Sequence, residues 1–131
     1  MHPTHPRSRI LVVDDDLGSR TLAAIILAEA GYSPICVPSV ARAFARLAAD
    51  GADLVVTDLL LPGLGGIDLL RALRTWPEPP PVVAMTSSDD DVLIEEALEL
   101  GAAAVLRKPV AIERLVDTVD GLFDARARAA A

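Results

Sequence analysis

One cysteine, Cys36, stands in the 131 residues, and a single thiol forms neither an internal disulfide nor a cysteine-based zinc site. Its place in a short apolar run predicts a small buried hydrophobe rather than a reactive thiol. Long apolar runs are missing as well. Although 52% of the residues are hydrophobic, no stretch approaches the roughly 20 residues that a membrane span needs, so the apolar content is expected to fill a packed interior. No block of basic residues occurs and the net charge is −7, which argues against a surface built to neutralise nucleic-acid phosphates. The start, Met1-His2-Pro3-Thr4-His5-Pro6-Arg7, has no apolar core of the secretory type, so a cytoplasmic location is the default expectation. Residues 1–8 are expected to form a disordered leader, a reading preferred over a weak metal site at His2 and His5. Between Asp14 and Gly18 the glycine-rich turn that a dinucleotide pyrophosphate requires is absent, which disfavours a nucleotide-binding reading.

What the chain does contain is four short apolar runs, each ending in a polar residue of definite kind. Ile10–Val13 ends in Asp14-Asp15-Asp16, Leu54–Thr57 in Asp58, Val82–Met85 in Thr86, and Ala103–Arg107 in Lys108-Pro109. Short β-branched runs that alternate with longer helical patterns imply a parallel sheet, and such sheets bind ligands outside the carboxyl ends of their strands. Carboxylates, a hydroxyl and an ammonium are therefore expected along one edge. Clustered carboxylates suit a hard divalent cation, while a hydroxyl and a lysine suit a phosphoryl group.

Strand and helix signals alternate from Ile10 onward, consistent with one α/β domain over residues 9–124 and an Ala/Arg-rich tail or helix extension over 125–131. Leu22, Ile25 and Ile26 mark the expected buried stripe of a first helix that stops near Gly31. Pro34–Val37 reads as a weak second strand, expected either at an edge or very short because Pro34 and Pro38 each remove a ladder donor. Val40–Ala49 is predicted as a helix with Phe44 and Leu47 inward, and Ile67–Trp76 as the third helix. The proline density at 77–81 reads as a stiff connection. Asp89 or Asp90 should open a fourth helix that carries Leu93, Ala97 and Leu100 on its core side and stops at Gly101. Ile112 to about Arg126 is the last helix, with Leu115, Val119, Leu122 and Phe123 on one face. Five strands joined by right-handed crossovers select a doubly wound three-layer sandwich. Asp16 reads as a helix cap, Asp89–Asp91 as capping carboxylates and Arg107 as a surface residue.

The segments ILVVDDD at 10–16, LVVTDLLLPGLGG at 54–66, VVAMTSS at 82–88 and GAAAVLRKP at 101–109 together resemble the response-regulator receiver domain, the phosphoacceptor half of two-component signalling. The resemblance implies a flavodoxin-like sheet of order 2-1-3-4-5 with helices on both faces. It implies that Asp58 accepts a phosphoryl group from a sensor histidine kinase or a histidine phosphotransfer protein. It also implies that Asp15 and Asp58 ligate Mg²⁺ directly, that Asp14 acts largely through a bound water, and that the backbone carbonyl of Leu60 completes the protein ligands. Lys108 matches the lysine that pairs with a phosphoryl oxygen, Thr86 the hydroxyl that closes on it, and Lys108-Pro109 a peptide that is cis in the family. The output implied is a contact with a downstream protein or covalently linked effector, with homodimerisation through the fourth helix, fifth strand and last helix as a family habit. Neither direct nucleic-acid binding nor membrane insertion is expected.

Two departures from the family pattern bear on function. Val105 stands three residues before Lys108, where the family carries Tyr or Phe. A valine cannot make the inward swing of that aromatic, so the output coupling is expected to be altered while the acceptor chemistry survives. Leu60 lies two residues after Asp58 and Ser88 two after Thr86, positions that flank the water attacking the acyl phosphate. An apolar Leu60 cannot orient that water, and slow self-dephosphorylation is expected; small Ser87 keeps the phosphoryl approach open. A pseudo-receiver that binds partners without phosphorylation is the alternative that Val105 supports. An aspartyl-phosphate hydrolase is disfavoured, since such enzymes place a general-acid Asp where Leu60 has no proton to give. The sequence leaves open whether the domain acts alone or within a longer chain.

Overall fold

Apolar residues that are continuous along a strand alternate between the two faces of a sheet, and the sandwich follows from that geometry. The computed structural model describes residues 8–130. Five strands, β1 (Arg9–Val13), β2 (Ser33–Val37), β3 (Leu54–Asp58), β4 (Val82–Thr86) and β5 (Ala104–Arg107), alternate with five helices. The helices are α1 (Leu17–Glu29), α2 (Val40–Ala49), α3 (Gly66–Leu73), α4 (Asp91–Glu99) and α5 (Ile112–Ala130). All strand pairs are parallel, in the order β2-β1-β3-β4-β5, so the fold class expected from the sequence is the one observed.

Ile10, Val12, Leu54, Val56, Val83 and Met85 face one way and pack with Ile26, Leu27, Leu115, Val119 and Phe123 of α1 and α5. Leu11, Val13, Val55, Val82 and Ala84 face the other way, onto Val40, Ala43, Leu47, Leu69 and Leu73 of α2 and α3. The central strands have no solvent face. Each fully buried Leu or Val there contributes roughly 1.5–3 kcal/mol relative to exposure. Ala97 of α4 closes the second layer.

Several local expectations need correction. Leu22 and Ile25 of α1 are exposed; the buried stripe is Ala23, Ile26 and Leu27. Cys36 is exposed on the edge strand β2, its thiol donating to Arg20 O of α1 at 3.6 Å. Helix α3 ends at Leu73 rather than at Trp76. Thr75 N and Trp76 N donate to Ala72 O and Leu73 O in tight turns, as befits residues leading into Pro77, which disfavours helix before it. Phe44 is half-buried against the α2–α3 side of the core.

Residues 1–7, including His2 and His5, lie outside the described part, whereas Ser8 O accepts from Ser33 N at 2.9 Å. Helix α5 runs on through residues 125–130. Among the described residues no helix is long and apolar enough to cross a membrane.

Candidate functional site

The β1 and β3 ends deliver their carboxylates side by side because Val13 pairs with Thr57 in register. Asp14, Asp15 and Asp58 each offer one oxygen, and these oxygens lie within 4.8 Å of one another. Asp14 is fully buried and Asp58 is only 9% exposed. Lys108 spans the pair: its Nζ donates to Asp14 Oδ2 and to Asp58 Oδ2, each at 2.8 Å. Burial works against the Lys108 charge, but the hydrogen bonds and attraction of Asp14 and Asp58 outweigh it and raise its pKa above the ordinary value. The peptide between Lys108 and Pro109 is cis.

The remaining oxygens are also held. Leu60 N donates to Asp58 Oδ1 at 3.1 Å, and Asp16 N donates to Asp14 Oδ1 at 3.0 Å. Asp16 itself caps α1, its Oδ2 accepting from Ser19 N at 2.7 Å, and that bond holds its pKa below the usual carboxylate value. Thr86 is fully buried at the end of β4, and its Oγ1 accepts from Ser88 N at 3.0 Å. Lys108 N donates to Thr86 O at 2.8 Å, so β5 carries the lysine in directly beside the threonine strand. Ser88 Oγ in turn accepts from Asp90 N, and Asp90 caps α4.

Asp14, Asp15, Asp58, Leu60, Thr86, Ser87, Ser88 and Lys108 thus sit at the carboxyl edge of the sheet, with Asp14, Asp15, Asp58 and Lys108 in one cluster. Val105 stands apart, half-buried on β5 and packed toward the α2–α4 layer. Leu60 is 53% exposed, its side chain outside the cluster although its amide is part of it.

Three contributors escape sequence reasoning. Arg20, on the first turns of α1, donates from Nη1 to Asp14 O and Asp15 O at 3.3 and 3.2 Å and so braces the acidic turn; only its i+6 spacing from Asp14 hints at this. Gly66 lies against the backbone of the acceptor residue, where a Cβ would come 2.5 Å from Asp58 O. Arg107 is exposed as expected but pairs with Asp89 and with Asp91, at 3.4 Å for the latter, tying β5 to the β4–α4 turn.

A family model for the response regulator receiver domain matches residues 10–120. The chain belongs to that family. Relatives include the sensory/regulatory protein RpfC of Xanthomonas campestris pv. campestris, 32% identical over 126 residues, with 92% of this chain and 17% of that protein covered. The DNA-binding response regulator MtrA of Mycobacterium tuberculosis is 36% identical over 113 residues, with 86% and 49% covered. The receiver chain therefore spans under half of the length of either relative. Among solved structures, the receiver domain of Francisella response regulator 1452 superposes with a TM-score of 0.85 at 27% identity, covering 92% of this chain and 99% of that one. A CheY-like receiver domain protein from Methanospirillum hungatei gives 0.87 at 24% identity, covering 93% and 98%, and speaks for the fold.

Receiver domains imply a divalent cation, and the donor set here fits one. The three carboxylates outnumber the single ammonium of Lys108 beside them, and an all-oxygen cluster of net negative charge is what a hard cation requires.

Proposed function

We propose that this receiver domain accepts a phosphoryl group on Asp58, in a Mg²⁺-dependent reaction, from the phosphohistidine of a sensor histidine kinase or histidine phosphotransfer protein. It then signals through contacts with a downstream protein or a linked effector. The observation that carries this reading is the clamping of one nearly buried carboxylate: Asp58 is held through Oδ1 by the Leu60 amide and through Oδ2 by Lys108, beside Asp14 and Asp15. A fixed nucleophile suits phosphoryl transfer, whose loose transition state asks for positioning and charge stabilisation rather than acid or base assistance.

Asp15, Asp58 and the Leu60 carbonyl would hold Mg²⁺ directly, with Asp14 acting through a water. When bound, the ion supplies positive charge to the oxygens of the group in transfer. Lys108 then shifts its ammonium from the carboxylates to a phosphoryl oxygen, keeping a charge-assisted bond throughout. Thr86 has a suitable hydroxyl: its oxygen accepts from Ser88 N, which leaves its proton free to donate to the phosphoryl group. A shift of Thr86 toward the site would pull on Ser88 and, through the Ser88–Asp90 bond, on the cap of α4. That connection gives the domain a path to its output surface without the aromatic that Val105 replaces. Amide spectra across residues 86–110 should therefore change on phosphorylation; unchanged spectra would sink this route.

Intact mass after incubation with acetyl phosphate and Mg²⁺ tests the acceptor. A phosphoryl adduct is expected on this chain and none on Asp58→Asn. Absence of an adduct on both, together with no spectral response to beryllofluoride, would instead favour the pseudo-receiver reading that Val105 supports.

A further inference from the structure

The three carboxylates of the acceptor cluster are not held alike. Asp14 uses both oxygens, Oδ1 accepting from Asp16 N at 3.0 Å and Oδ2 from Lys108 Nζ at 2.8 Å. Asp58 does the same with Leu60 N at 3.1 Å and Lys108 Nζ at 2.8 Å. Asp15 is exposed, and its carboxylate forms no hydrogen bond or ion pair among the described residues. Its direction is set by its own backbone, and there one side chain intervenes. Arg20 of α1 is half-buried, and its Nη1 donates to Asp14 O at 3.3 Å and to Asp15 O at 3.2 Å. Those carbonyls belong to the two peptide units that flank the Asp15 Cα, so a single guanidinium grips both. The arginine is anchored in turn: its N–H donates to Asp16 O at 3.0 Å, and its carbonyl accepts from Cys36 Sγ of β2 at 3.6 Å.

We propose that Arg20 is a positioning residue for Asp15 and makes the site selective for Mg²⁺ over Ca²⁺. This deepens the divalent-cation reading given above and rests on it. Mg²⁺ demands near-octahedral geometry, whereas Ca²⁺ accepts more oxygen ligands at longer and more variable distances. A carboxylate without a hydrogen bond of its own is aimed only as well as the backbone beneath it is fixed. By holding both flanking peptides, Arg20 keeps Asp15 directed toward the side on which Asp58 offers its oxygen. Releasing that grip costs most for the ion that tolerates a misplaced ligand least. The positive charge of Arg20 acts the other way, since it repels any cation. That repulsion is nearly equal for two ions of the same charge, so the ratio of their affinities reports geometry.

Titration of the full chain with MgCl₂ and with CaCl₂, followed by amide shifts at Asp15 and Leu60 with no phosphodonor present, tests this. Arg20→Met keeps a long, helix-compatible side chain without charge or donors. Arg20→Lys keeps the charge, but its ammonium ends one bond short of the Nη1 position and lacks the planar fork. Losing an outer partner of a metal ligand costs about tenfold or more in affinity, so Mg²⁺ should bind both variants roughly tenfold more weakly than the wild type. Ca²⁺ affinity should change by less than about threefold, because its coordination is flexible; retained Ca²⁺ binding also shows that the variants are folded. With acetyl phosphate as donor, the Mg²⁺ concentration for half-maximal adduct formation should rise by the same factor as the Mg²⁺ dissociation constant. An unchanged Mg²⁺ affinity, or a parallel loss for both ions, would overturn the proposal. Tighter Mg²⁺ binding by Arg20→Met with no change in Arg20→Lys would overturn it too, leaving Arg20 as a repelling charge only. Absence of Mg²⁺ binding to the wild type would instead overturn the cation reading itself.

Discussion

Leu60 serves the site with its backbone and withholds its side chain. The amide bonds Asp58 Oδ1 while the isobutyl group stands 53% exposed above the loop, unable to orient a hydrolytic water. Replacing it with Asn supplies that function without changing the backbone. Leu60→Asn should accelerate loss of the phosphoryl group on the order of tenfold, about 1.4 kcal/mol of barrier, as followed by intact mass after donor removal; an equal or slower loss would refute the idea. Gly66 is the opposite kind of residue, invisible in chemistry but fixed by space. Its missing Cβ would lie 2.5 Å from Asp58 O and 3.0 Å from Leu59 Cα, both backbone positions that a side-chain rotation cannot relieve. Gly66→Ala is expected to cost at least the roughly 1–3 kcal/mol typical of overpacking and to slow phosphorylation by displacing Asp58, measured by urea denaturation and by adduct formation. The convergence of Asp14, Asp15, Asp58 and Lys108, with Thr86 on the neighbouring strand end, was legible because four strand ends carry polar residues in order along the chain, although each alone is ordinary. Gly66 was not, because its loop has Pro62, Gly63 and Gly65 as well and nothing local tells a loose turn from a close approach. Arg20 was hidden for a similar reason, since an arginine on a helix ordinarily reads as solvated.

At the level of the element, periodicity located every strand and helix but misjudged the faces of α1. That helix is apolar nearly all round, so Leu22, Ile25 and Ile26 fit a stripe as well as Ala23, Ile26 and Leu27 do. Contact with the sheet selects the set containing the small Ala23, and Leu22 remains exposed. The edge position of β2 was one of the two readings that its prolines allowed, yet the exposure of Cys36 was not legible, because burial at an edge depends on how far a helix covers each side. Helix α5 offers a direct test of local propensity. Gly121 lies within it, and a Cβ there would meet nothing within 4 Å. Gly121→Ala should therefore stabilise the domain by about 0.5–1 kcal/mol through helix propensity alone, seen as a higher urea midpoint with an unchanged slope. A loss of stability would mean that α5 packs differently at this turn.

For the molecule as a whole, alternation of elements was enough to give the layer order, whereas long-range polar pairs outside the acceptor cluster were not legible, because no local pattern ties residues so far apart. Tyr32 is the main example. It follows α1, yet its hydroxyl donates to Asp120 on α5 and its ring stacks on Phe123 with centroids 5.4 Å apart. The first third of the chain is thereby joined to the last helix. Burial raises the Tyr32 pKa well above the ordinary tyrosine value, reinforced by the hydrogen bond to Asp120 and by the charges of Asp120 and Asp124. The folded state thus holds the phenolic proton more tightly than the unfolded chain, whose tyrosine titrates near 10. This contribution is complete below pH 10 and is lost as pH rises above it toward the folded value, because the unfolded state then binds fewer protons. Urea midpoints should fall from pH 9 upward more steeply for the wild type than for Tyr32→Phe, which keeps the ring and removes the titrating group. Tyr32 is the only tyrosine, so phenolate absorbance reports it directly: ionisation should come well above pH 10 and move down in Asp120→Asn. Ionisation at the ordinary value, with parallel pH profiles for wild type and Tyr32→Phe, would show that this pair does not bind the two ends of the fold together.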